Sequence, residues 1–401
     1  MKKEINRVPM LSAAIVALTF LGIMHSWSIF RVEFSKFFPS WTASQLSMNF
    51  SIIITSFCLG GLIGGKVAAR FSPRLTARIS AIMIFAGFMA CSLIEKQSDG
   101  MALITLYTCF GLLAGIGSGI AHNSCVGSVP LWFPKQLGLV SGVLFMCFGT
   151  GALVFGLAVE ALSAVIGIFN VLRIIAVSLS TVLLIVSFFL KTPVIISGTD
   201  DNKSSPNVDF TSTEMLKSPS FWLFFLWNTL LASCGLLIIN SAANIAVFFG
   251  AKAGIGLAIS IFSGVGSVIG GILMDKLGKM QGILIMTYLL IVMGVILVIT
   301  AVTNSAFLLI IGLIGVGISF GSGATVNSKY INDRFGSRHF SVNYTIANFS
   351  MMPASFIGPF ISGLLQDISG NYTSTFVMLL ASSVICLLMA FLLKAELKKP
   401  L

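Results

Sequence analysis

Two histidines, His25 and His122, lie deep within long apolar stretches. An ionisable group kept at membrane depth is costly, and such groups mark solute or ion paths. A neutral imidazole donates a hydrogen bond to a carboxylate, and its ordinary pKa is close enough to neutrality to carry a proton. His122 sits in "GSGIAHNS" (117–124), which recurs as "GSGATVNS" (321–328), five of eight residues identical and 204 residues apart. Only the first copy has a histidine. On this alignment His122 faces Val326, so the two copies offer unlike walls. A tight helix contact around one hydrogen-bonded histidine is the other reading of the same face.

Other polar residues at membrane depth are Asn240 and Asn244, spaced i, i+4, with Asn327 and Asn348 further on. They are candidates for lining a cavity, or for gluing helices together. Arg31, Arg173, Glu160 and Lys252 fall near ends of apolar stretches. There they can snorkel or face an entrance, and Arg31 is expected to attract anions at an outer mouth. No P-loop, HExxH or Ser/His/Asp set occurs, and the histidines lack metal-ligand spacing. The seven cysteines show no CxxC and read as small buried hydrophobes. No enzyme, cofactor or metal is expected.

The elements that must position these residues are helices crossing a bilayer. The chain is 56% hydrophobic and 9% charged, against about 25% charged in a soluble domain. Windows of about 20 apolar residues recur along it. Twelve spans are expected, at roughly 10–31, 45–69, 76–94, 101–124, 137–160, 167–190, 220–248, 254–274, 281–302, 305–328, 339–364 and 373–394. The long polar stretch between the sixth and seventh divides the chain into six-helix bundles at 1–192 and 219–401, with a cytoplasmic linker at 193–218. "STEMLKSP" within it reads as a short amphipathic piece on the membrane surface. With both termini inside, 19 of the 24 Lys and Arg face the cytoplasm, as the positive-inside rule requires. The net charge of +11 therefore records topology and faces lipid headgroups; it does not mark nucleic-acid binding.

The repeat extends further. After the second span comes "GKVAARFSPR", and after the eighth "GILMDKLGK". Gly65 aligns with Gly271, Arg70 with Lys276 and Ser72 with Gly278, each 206 residues apart. Parallel repeats of this kind place a solute site near the bilayer midplane between halves that rock. A Gly-x-x-x-Asp-Arg-x-Gly loop in a 6+6 chain resembles the major facilitator superfamily. "SWSIF", "WTASQLSMNFSI", "FSPR", "GIGSGIAH", "WFPKQLGLVSG", "TEMLKSPSFW", "MDKLGK" and "NYTIANF" narrow the resemblance to the oxalate:formate antiporter and monocarboxylate transporter family.

The resemblance implies an all-α fold of twelve transmembrane helices and a secondary transporter of a small organic acid, a monocarboxylate. It also implies a multi-pass monomer in the plasma (cytoplasmic) membrane, working by alternating access, with protons a candidate coupling ion. His25 and His122 match positions where the family encloses its substrate with aromatic residues. Ser267 and Met351 match positions where the oxalate transporter holds an arginine and a lysine, so a fixed pair of cations is missing and oxalate is not expected. Gly65, Arg70, Arg74, Gly271, Asp275, Lys276 and Gly278 match the cytoplasmic gating loops. Asp275 is expected to close a latch, and Ala69 stands where the first copy should have its acid. Two other functions stay open: transport of a neutral or zwitterionic molecule or drug, and a non-transporting membrane sensor.

Overall fold

The computed structural model describes residues 7–133, 137–190, 209–336 and 339–398. No strand occurs among them. The expected domain boundary at 192–193 and the cations Lys2, Lys3, Lys135, Lys191, Lys203, Arg338 and Lys399 lie outside the described residues. The chain divides into two compact units, Met1–Val194 and Ile195–Leu401.

The N-terminal unit holds α1 (Val8–Leu21), α2 (Trp27–Phe37), α3 (Ala43–Arg70), α4 (Pro73–Cys91), α5 (Asp99–Thr105), α6 (Gly115–Val126), α7 (Leu137–Ile166) and α8 (Ile168–Phe189). The C-terminal unit holds α9 (Ser212–Lys217), α10 (Pro219–Phe248), α11 (Ala258–Leu277), α12 (Lys279–Thr303), α13 (Ala306–Phe335), α14 (Phe340–Asn348), α15 (Met351–Ser355), α16 (Ile361–Ser369) and α17 (Thr373–Glu396). Among the described residues, eleven helical stretches are long and apolar enough to cross a membrane.

The expected span at 339–364 is instead a chain of pieces. It runs through α14, α15, a π-helical turn at Phe356–Phe360 and α16. Pro353 and Pro359 each remove a backbone donor, which loosens a helix. At the break, Asn228 Nδ2 donates to Ser350 Oγ at 2.7 Å. Two other spans are irregular. A 3-10 turn at Gly22–Ser26 separates α1 from α2, and a π-helical stretch at Leu106–Ala114 separates α5 from α6.

The piece expected on the membrane surface is α9. Thr211 and Glu214 cap it reciprocally, satisfying its free N–H groups. Just before it, Phe210 N–H donates to Phe335 O at 3.0 Å and Asn343 Nδ2 donates to Phe210 O at 3.1 Å. This piece is thus tied to α13 and α14.

Each unit is organised around one glycine-lined helix pair, α3 on α6 and α11 on α13. Small residues let backbones approach closely where lipid offers no hydrophobic drive. A Cβ on Gly115 would lie 3.2 Å from Ile53 O, and one on Gly317 would lie 2.7 Å from Ile259 O. Gly119 abuts Phe57 and Gly61, while Gly321 abuts Ser263. Gly60 abuts Ile116 and Gly266 abuts Ile318. A side-chain clamp repeats too: Asn123 Nδ2 donates to Gly61 O at 2.8 Å, and Thr325 Oγ1 donates to Ser267 O at 2.8 Å.

These pairs correct the repeat. The second and eighth spans are related by 206 residues, as the loops suggest, but α6 and α13 are related by 202, because Gly115 matches Gly317 and Asn123 matches Thr325. The duplicated phrase is therefore two residues out of register with the duplicated packing. His122 corresponds to Ala324, not Val326.

The corners that follow α3 and α11 differ in chemistry. Ser72 has extended backbone and its hydroxyl accepts from Leu75 N–H at 3.3 Å, capping α4. At the matching corner Gly278 has φ 88° and ψ 163°, a region essentially reserved for glycine. Exchanging the two residues should be asymmetric. Ser72→Gly is expected to cost only a few tenths of a kcal/mol, and Gly278→Ser about 1–3 kcal/mol, read as thermal unfolding of the purified chain.

Candidate functional site

The N-terminal unit brings both histidines to one place. Where α1 ends, its backbone lies directly on α7. A Cβ on Gly22 would lie 2.7 Å from Ala152 N, and one on Gly151 would strike Thr19 O. Ser26 Oγ donates to Ala152 O at 2.7 Å, so the 3-10 turn is pinned to α7. That turn presents His25, whose ring meets Phe148 edge-on at 4.7 Å and 78°.

His122 approaches the same phenylalanine from α6, at 5.2 Å and 64°. It also meets Phe57 of α3 at 5.1 Å and Phe145 of α7 at 5.8 Å. Both imidazoles are half-buried. His25 Nδ1 is buried and has no hydrogen-bond partner among the described residues. Two imidazoles set among three phenylalanines combine apolar ring faces with a few polar atoms, the usual make-up of a small-molecule pocket wall. Such a wall can hold a short hydrocarbon chain against the rings while an N–H donates to an acceptor.

Phe57, Phe145 and Phe148 are not distinguishable in the sequence, which has 34 phenylalanines. Only the ring contacts single them out.

The C-terminal unit uses most of its predicted residues internally. Asn348 Oδ1 accepts from Asn327 Nδ2 at 2.8 Å, which joins α13 to α14. Ser267 Oγ donates to Gly321 O at 2.8 Å and to Ser263 O at 3.1 Å. Its hydroxyl thus helps hold α11 on α13. Asn240 is fully buried and its Nδ2 donates to Ser241 Oγ at 3.0 Å. Asn244, one turn along α10, is half-buried, and its Oδ1 has no partner among the described residues. Met351 starts α15 at the break in its span and is half-buried. The site expectations for this unit are therefore not gathered into one cluster.

Arg31 departs from expectation. It is 1% exposed, not open at a mouth. The first span was expected to end at 31, but α2 runs on to Phe37, which leaves Arg31 well inside.

The loop residues fall at the helix ends. Gly65 lies against Asn123 Nδ2 and Gly271 against Thr325, so both glycines serve the repeated clamp. Arg70 lies over the Phe71 ring at 5.6 Å, and Arg74 Nε donates to Leu190 O at 2.8 Å. Asp275 pairs with Lys329 of α13 and not with its neighbour Lys276, which is exposed. A second pair, Lys279 with Asp333 at 3.7 Å, joins α12 to α13 beside it. Among the described residues no group of three or more His, Cys, Asp or Glu is arranged to hold a metal.

A model of the Major Facilitator Superfamily matches residues 9–359. The oxalate:formate antiporter of Oxalobacter formigenes is 24% identical over 368 residues, covering 88% of this chain and 82% of that protein. The uncharacterised MFS-type transporter YhjX of Escherichia coli K12 is 24% identical over 334 residues, covering 81% and 80%. Monocarboxylate transporter 13 of Bos taurus is 25% identical over a shorter stretch, 36% of this chain and 32% of that one. Among solved structures, a bacterial homologue of the human lysosomal transporter Spinster, inward-facing and unoccupied, superposes with a TM-score of 0.68 at 16% identity, covering 98% of both chains.

Proposed function

Because the chain belongs to the major facilitator superfamily, we propose that it moves a small organic acid of the monocarboxylate class across the membrane by alternating access. The observation that carries this reading is the convergence of His25 and His122 on Phe148. The hydrocarbon part of a short acid packs on Phe57, Phe145 and Phe148, and an imidazole N–H donates to its carboxylate. The names of two relatives, an oxalate:formate antiporter and a monocarboxylate transporter, support an organic acid. A histidine that binds the carboxylate can also carry a proton with it, and the protein acts as a monomer. The excess of Lys and Arg on one side supports a plasma-membrane orientation with both termini cytoplasmic.

A second reading is favoured by one observation. Neither Ser267 nor Met351 supplies a cation, and the Ser267 hydroxyl is already engaged. A nearly neutral site also suits an uncharged or zwitterionic solute.

Uptake by proteoliposomes separates the two. His122→Phe keeps a ring among Phe57, Phe145 and Phe148 but removes the donor. A hydrogen bond to a charged group contributes about 1.5–3 kcal/mol. The apparent KM for a short monocarboxylate should rise about tenfold to a hundredfold, with thermal stability unchanged. Uptake indifferent to this substitution, and not competed by any carboxylate, points to the neutral solute.

A further inference from the structure

The N-terminal unit carries a pair of arginines that its own repeat does without. Arg74 and Arg78 are four residues apart on α4, so they share one face. Both are exposed, and they reach the end of α8 side by side. Arg74 Nε donates to Leu190 O at 2.8 Å. Arg78 Nε donates to Ser187 Oγ at 3.3 Å, and its guanidinium lies 5.2 Å over the Phe188 ring. With each Nε engaged, the planar guanidinium of each arginine still has terminal nitrogens to offer the oxygens of an anion such as phosphate.

The matching positions of α12, 206 residues on, are Met280 and Leu284. The corner and the helix pair therefore form without arginine. Ion pairing differs as well. In the C-terminal unit Lys279 and Lys329 are paired with Asp333 and Asp275. In the N-terminal unit no carboxylate pairs with Lys66, Arg70, Arg74 or Arg78 among the described residues.

The surface beside the arginines is apolar and faces outward. Ile79, Ile82, Ile185 and Phe188 are 37%, 67%, 54% and 65% exposed. Two guanidinium groups over an apolar helix seam, with no acid paired to them among the described residues to receive an ammonium, match one kind of molecule. We propose that the α4–α8 seam binds one anionic phospholipid, with its phosphate on Arg74 and Arg78 and its acyl chains along Ile79, Ile82 and Ile185. A soluble phosphate would use the arginines but not the isoleucines. A zwitterionic lipid would bring an ammonium with no partner. The proposal is independent of the solute reading, because neither arginine belongs to the histidine cluster.

Native mass spectrometry of the detergent-purified chain tests it, with phosphatidylglycerol and phosphatidylcholine as probes. One phosphatidylglycerol should be retained in preference to phosphatidylcholine. A basic residue near an anionic surface contributes about a fivefold change in affinity, so Arg74→Gln with Arg78→Gln should weaken retention about 25-fold. Lys394→Gln, a cation elsewhere on the chain, should leave it unchanged. Arg78→Lys keeps the charge and should lose less than Arg78→Gln. Equal losses in those two variants, or undiminished retention in the double variant, would overturn the site. Displacement by millimolar glycerol 3-phosphate as effectively as by excess lipid would overturn the lipid as occupant.

Discussion

Gly321→Ala is expected to destabilise the C-terminal unit by about 3 kcal/mol or more, whereas Gly323→Ala, on the same helix, stays within about 1 kcal/mol. A Cβ on Gly321 overlaps the Ser263 carbonyl and lies 2.6 Å from Ser263 Cα, which is backbone and can yield only if α11 moves away from α13. Moving it strains two further contacts of the seam, the Thr325 hydrogen bond to Ser267 O and the Ser267 hydrogen bond to Gly321 O. A Cβ on Gly323 meets only Leu231 Cδ2 at 3.0 Å and Asn228 Oδ1 at 3.4 Å, the ends of side chains. Alanine also recovers up to about 1 kcal/mol of helix propensity there. Gly142→Ala, with nothing within 4 Å of its Cβ, is the control. Thermal unfolding of the purified variants reads all three.

The same comparison decides between the two registers. Were the duplicated phrase the true alignment, Gly323 would match Gly119 and take the severe effect. Letters repeat readily in these helices because glycine and serine are what close packing admits. A match of five letters in eight therefore says that both helices are packed tightly, but not which glycine meets which backbone. That assignment depends on the partner helix and becomes visible only when Ile53 is set beside Ile259 and Gly61 beside Ser267.

The spans were legible because lipid leaves a chain few options: each must satisfy its backbone internally and remain apolar for about 20 residues. Their ends were less so. Arg31 reads as a terminus because charge usually closes a span, yet α2 carries it inward and buries it. Pro353 and Pro359 are plain in the sequence, but whether they kink a span or break it into α14, α15 and α16 depends on what packs against the break, here Asn228, which donates to the Ser350 hydroxyl. The histidines were legible for the opposite reason to the phenylalanines around them: there are three of the first and 34 of the second. Rarity marks a residue, and contact alone marks a common one. Asn348 was ambiguous for lack of that contact, which the Asn327 hydrogen bond now provides.

Net uptake without any counter-solute is the second large expected effect, and Met351→Lys should suppress it. A carrier that must reorient empty passes through a closed state in which an unpaired cation costs several kcal/mol, unless the solute's charge offsets it. Such a carrier exchanges but does not fill an empty vesicle. Here neither Ser267 nor Met351 provides that cation, so the empty protein has no such barrier at these positions. Each 1.4 kcal/mol slows reorientation tenfold, so a single lysine at 351 should cut zero-trans uptake about tenfold or more while leaving exchange nearly intact. Position 351 is the better one to charge, because it is half-buried at a break in its span. An arginine at 267 would instead disturb the hydroxyl that holds α11 to α13. The assay is paired: radiolabelled solute into empty proteoliposomes, and into vesicles preloaded with the same solute. Wild-type protein that exchanges but gives no net uptake would show that a barrier to empty reorientation exists elsewhere.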